Sequence, residues 1–311
     1  MRDDFEASFS EQLQLIQSEP VMPASAQETL SSGLPASLHA VPQLMPFCFG
    51  YPDPDSPSGS HAPADLLSDL IWDADGSQAR ARAMLLRYAD RDTLASSFLS
   101  GVSDRAQLAV SRILAVLVCA EESAVNVFHH ECHRLSAAQI AANSQALREI
   151  ESEERIHAWL LHEARSVLPV PEDIDAIRRR TRRLFMRVAS RDVATHFARL
   201  TGLDSGVCIS LSALLGSAEV NRIEGFAQLI THIRRDEATH VKKSRDHAVD
   251  LGFDAAQFHL CYELTRTGMV DMLRPIASAF EDLGVDPERL FKRLLRFQDK
   301  QRVAGAAVLD D

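Results

Sequence analysis

Apolar residues recur along this chain at intervals of three and four, and no stretch of any length alternates apolar with polar, so the pattern predicts an all-α fold. Between Ala64 and Leu168, and again from Glu172 to Arg274, there is no proline, and Ala, Leu, Arg, Glu and Gln dominate. Long helices favour that composition. The predicted helices cover about 64–74, 77–100, 104–135, 136–168, 172–201, 203–217, 219–251, 254–283 and 287–302. Ser136 fits the N-cap of the fourth and Gly252 the stop of the seventh, whereas Gly202 and Gly206 are expected to bend or break the helix around them.

Proline divides the chain. Nine of the 13 lie between Pro20 and Pro63, so residues 1–63 read as an irregular arm, held to the body by Leu44, Met45, Phe47, Phe49 and Tyr51. Residues 64–311 then form a helical domain with its core at about 104–251, and the Pro-Val-Pro step at 169–171 joins two helical halves.

In a chain of 311 residues a sizeable core needs neither disulfides nor a structural metal. Lys and Arg total 33 against 44 Asp and Glu, a net charge of −11, which argues against nucleic acid and against a polybasic membrane anchor. The first ten residues lack the apolar run of a secretory signal, and the longest apolar run, Ile113 to Ala120, is far short of a bilayer span. A cytoplasmic protein without membrane contact is the expectation. The five cysteines are scattered, as suits reduced thiols. The basic run at 178–183 reads as a solvated helix face, with docking of an acidic partner as a minor alternative.

The chemistry lies in two short segments, each placing a carboxylate and an imidazole three apart: Glu154 with His157, and Glu237 with His240. Residues at that spacing share a helical face. Glu154 falls in line with Leu147, Ile150, Ala158 and Leu161, and Glu237 with Phe226, Ile230, Ile233 and Val241, so both carboxylates sit on apolar stripes. An ionised Glu there is costly unless paired or metal-bound. A buried Glu–Arg or Glu–His network remains the alternative to metal.

In di-metal helical bundles two further helices each add a carboxylate. Counting back about thirty residues reaches Glu121 and Glu122; Glu122, with Ala115, Val118 and Val125 on its face, is the choice. The same count from Glu237 finds only Asp204, on a stripe with Phe197, Leu200, Cys208 and Leu211. The candidate metal ligands are therefore Glu122, Glu154, His157, Asp204, Glu237 and His240. Glu153 and Asp236 are candidate acceptors for the ligating imidazoles. His129 reads as a core or edge residue, His130, His133, His162 and His247 as surface residues, and His232 as off the ligand face.

Glu122, Glu154-x-x-His157 and Asp236-Glu237-x-x-His240 resemble the ferritin-like superfamily of di-iron carboxylate proteins, across roughly residues 110–250. With the segments LSALLGSAEV and LITHIRRDEATH, the pattern is most similar to the p-aminobenzoate N-oxygenase family. The resemblance implies a ferritin-like four-helix bundle with additional helices, two iron ions, and dioxygen-dependent oxidation of a small organic substrate such as an amine. It implies an external electron donor too, since no flavin, nicotinamide or nucleotide fingerprint occurs. A homodimer is compatible with this reading. Two positions depart from the family: Gly206, near Asp204, stands where it has a Glu, and Ile233 where it has a His. A non-catalytic accessory protein with a degenerate or single-metal site therefore stays open as the alternative.

Overall fold

The structure is a computed structural model describing residues 77–137 and 144–296; the arm at 1–63 and the helix expected at 64–74 lie outside the described residues. Every element within them is helical: α1 (Ser77–Ala89), α2 (Arg91–Leu99), α3 (Asp104–Ala137), α4 (Ser144–Ser166), α5 (Ile174–Val188), α6 (Val193–Leu215), α7 (Ala218–Arg222), α8 (Glu224–Asp250), α9 (Phe258–Leu273), α10 (Ala277–Asp282) and α11 (Pro287–Leu295). The all-α expectation is met, with several helix boundaries displaced from those the periodicity suggested.

Each break has a local cause. Asp90 accepts from the amides of Asp92 and Thr93, which starts α2 and splits the helix expected at 77–100. Asp192 caps α6 through the Thr195 amide at 2.8 Å, ending the run expected to reach 201. Pro287 opens α11 behind an Asp286 cap. Gly252, at φ 93°, takes the left-handed position that stops α8, as expected. Ser136, by contrast, lies inside α3.

The glycines of α6 also correct the reading. The helix runs through Gly202 and Gly206 unbroken. A Cβ at Gly202 would lie 2.5 Å from Thr265 Oγ1 and 2.8 Å from Tyr262 Cδ1, and one at Gly206 would lie 2.3 Å from Met269 Sδ. Glycine is used here to bring α9 against α6, at a cost in helix propensity that the contact offsets.

The long helices pack as two neighbouring pairs, α3 along α4 and α6 along α8, and α4 touches α8 between them. Helix α9 closes the outer side of α6, and α5 and α10 close the outer side of α3. A continuous core results, with Leu114, Ile150, Leu160, Phe197, Phe226 and Ile233 among its wholly buried members. Among the described residues α6 alone is long and apolar enough to cross a bilayer, yet half of that stretch is buried, as in a core helix. The four cysteines of the described region are free.

Candidate metal centre

Where α3, α4 and α8 meet, Glu121, Glu154, His157 and Glu237 each turn one donor atom into a common space, and these atoms lie within 4.8 Å of one another. The residues are at most 5% exposed. His240, fully buried, completes the group: its Nδ1 is 3.0 Å from Glu154 Oε1 and 3.9 Å from Glu237 Oε1. His157 Nδ1 is 3.5 Å from Glu121 Oε2 and 3.6 Å from Glu154 Oε2. Glu154 thus stands between the two imidazoles.

The outer nitrogens are engaged crosswise. His157 Nε2, on α4, is 3.1 Å from Asp236 Oδ2 on α8. His240 Nε2, on α8, is 2.8 Å from Glu153 Oε2 on α4. The acid preceding each Glu-x-x-His motif orients the histidine of the other motif. Imidazoles held in this way present Nδ1 to the shared space, the arrangement that fixes a ligating histidine.

Four inward atoms, Glu121 Oε2, Glu154 Oε2, His157 Nδ1 and His240 Nδ1, are buried without a hydrogen bond. Orphaned polar atoms are costly in a core. Donors that bind one cation at about 2.0–2.2 Å are spaced about 3–3.5 Å apart, close to the separations seen here. Oxygen and imidazole donors together suit iron, manganese or zinc. Such a cluster can hold metal.

Without cations, protons perform the neutralisation. Burial, then the neighbouring Glu154, raises Glu121 well above the usual carboxylate range, and burial followed by Glu154 and Asp204 raises Glu237. Burial would also raise Glu154, but Glu121, His240 and His157 outweigh it and hold Glu154 ionised. Burial disfavours imidazolium, yet Asp236, Glu121 and Glu154 hold His157 well above its ordinary value. Glu154 and Glu153 do the same for His240.

One predicted ligand lies apart from the cluster. Glu122 points away from the cluster and meets His162 Nε2 at 2.9 Å, with its side chain 28% exposed. Glu121 stands among the convergent donors instead. Helix α3 is buried on two faces, one toward the cluster and one toward α5, so apolar neighbours flank both glutamates and cannot discriminate between them. Asp204 lines the same cavity as Glu121, Glu154 and Glu237 but lies outside the convergent group. Burial, with the Glu154 charge second, pushes its carboxyl up to about 8.

Two further histidines are buried. His232, taken as off the ligand face, is buried with Nδ1 3.6 Å from Asp236 Oδ2 and its ring 5.4 Å from that of His157, so it flanks the outer acid. Its i,i+4 spacing from Asp236, rather than its distance from Glu237, carried that signal. His247, taken as a surface residue, is 2% exposed and 2.7 Å from Glu131 Oε1. His129 is the edge residue expected, 2.8 Å from Glu151 Oε1.

Comparison with protein-family models, curated proteins and solved structures finds no match to this chain.

Proposed function

We infer that this chain is a non-haem di-iron oxygenase on a ferritin-like four-helix scaffold, oxidising a small organic substrate, an amine among the candidates. The single observation that carries the reading is the group of buried, unbonded donor atoms on Glu121, Glu154, His157 and His240, each imidazole braced by an acid of the opposite motif. Glu121, Glu154, His157, Glu237 and His240 would hold the ions, with Asp204 available from the cavity lining. Together with Asp204, the carboxylates of Glu121, Glu154 and Glu237 carry a charge that two divalent ions would balance, with both imidazoles neutral.

Iron bound there would supply the one-electron chemistry that reduces dioxygen. The protein supplies the rest. Glu154, placed between His157 and His240, would contribute its carboxylate beside both imidazoles. Asp236 and Glu153 hold the Nε2 protons and so keep both Nδ1 lone pairs inward. Phe128, Phe185, Leu200 and Leu203 give the adjoining cavity an apolar wall that keeps bulk water from the donors. Electrons come from a separate donor protein or small reductant.

Anaerobic titration with ferrous iron, followed by dioxygen, tests the reading. About two irons per chain and a new near-ultraviolet band on oxygenation support it. The position of Asp204, outside the convergent group, favours a second reading in which one ion binds and the protein is a non-catalytic accessory. One metal per chain without dioxygen uptake selects that reading, and no metal at all removes both.

A further inference from the structure

Beside the cavity of the carboxylates lies a second one with different chemistry. The first, of about 30 Å³, contains Glu121, Glu154, Asp204 and Glu237. The second, of about 40 Å³, is lined by residues such as Leu117, Leu184, Leu211, Met272 and Phe280 from five helices. Ala120, Phe185, Leu203 and Val207 line both, so one layer of side chains separates the chambers.

The second chamber presents no polar atom to its interior. Its two hydroxyl-bearing residues are satisfied within their own helices: Thr181 Oγ1 donates to the Ile177 carbonyl at 3.0 Å, and Ser210 Oγ to the Gly206 carbonyl at 3.0 Å. A buried water needs two to four polar partners, so water is disfavoured here. Size narrows the occupant further. One water requires on the order of 10–15 Å³, whereas an apolar cavity that takes benzene measures about 150 Å³. A chamber of 40 Å³ is too small for a ring and matches an apolar molecule of two or three atoms.

We propose that this chamber binds molecular dioxygen and delivers it to the carboxylate cluster through the layer formed by Ala120, Phe185, Leu203 and Val207. The delivery role rests on the oxygenase reading; occupancy of the chamber does not. Met269 and Met272, both on α9, form its outer wall, and their unbranched side chains can shift to admit a guest.

Metal-free protein carrying labelled Met and Leu methyl groups tests occupancy by NMR under pressurised dioxygen, whose paramagnetism speeds the relaxation of nearby protons. The Met269 and Met272 methyls are expected to relax several-fold faster than those of Leu168, which is buried to a similar degree but lies outside the chamber. Equal relaxation at the three residues overturns the proposal. Ser210→Leu, which fills the chamber, is expected to abolish the gain. In ferrous-loaded protein it should raise the dioxygen concentration for half-maximal rate at least threefold, with iron content and limiting rate unchanged. An unchanged dioxygen dependence overturns delivery. If ferrous-loaded wild type leaves dioxygen untouched, the oxygenase reading and the delivery role fall together, and faster methionine relaxation then identifies a gas-binding void alone.

Discussion

Asp236 Oδ2 lies 3.1 Å from Nε2 of His157, a residue 79 positions earlier on another helix, and both side chains are at least nine-tenths buried. The mirror contact joins Glu153 to His240 at 2.8 Å. Removing either acid leaves the donors in place but releases their orientation. Asp236→Asn and Glu153→Gln are each expected to weaken metal binding about 10–100-fold while the helical circular dichroism is retained. Competition titration against a metal indicator reads the change.

The two adjacent glutamates of α3 give a sharper contrast. Glu121→Gln should lose metal stoichiometry, because Glu121 is among the convergent donors. Glu122→Gln should keep it, since that side chain is occupied with His162 at the periphery. Metal analysis of the two purified variants distinguishes them, and equal losses would remove the assignment of Glu121.

At the seam of α6 and α9 the outcome depends on what a new methyl would meet. Gly202→Ala should destabilise by about 1–3 kcal/mol, because the Thr265 hydroxyl and the Tyr262 ring and backbone crowd the site. Gly206→Ala faces the sulfur of Met269, the far part of a flexible side chain, and regains helix propensity, so its cost should be smaller. Thermal midpoints measured side by side give the ordering.

His196 links stability to pH. Burial, and then the Arg199 charge, lower its pKa from 6.5 to about 4, so the folded state keeps the ring neutral while the unfolded chain binds a proton. The stability it contributes is complete above the unfolded value and is lost as pH falls from 6.5 toward 4, amounting to about 3 kcal/mol. Urea unfolding of wild type and His196→Gln between pH 7 and 4 should show a difference that shrinks on acidification. A difference independent of pH would refute the linkage.

Much of the centre is legible in one-dimensional pattern. Glu154, His157, Glu237 and His240 are recognisable because an acid on an apolar stripe is anomalous, and Glu153 and Asp236 because they adjoin those acids. Features set by a third helix are not. Helix α5 buries the second face of α3, which makes Glu122 as plausible as Glu121. Pairing of His247 with Glu131, and packing of its ring on Phe197 at 4.6 Å, bury a residue whose own helix gives no sign of it. The glycines of α6 look like breakers until α9 is seen against them. Local chemistry is written in the helix that bears it, whereas close approach is written in the partner.

The crosswise bracing makes each half of the chain dependent on the other. A fragment ending near Pro169 would carry Glu154 and His157 but lack the Asp236 that aims the imidazole, and the complementary fragment would lack Glu153. Separated, each piece would lack the acid that aims its imidazole; ion capture would then report on their reunion, with binding and docking of the hairpins as one cooperative event.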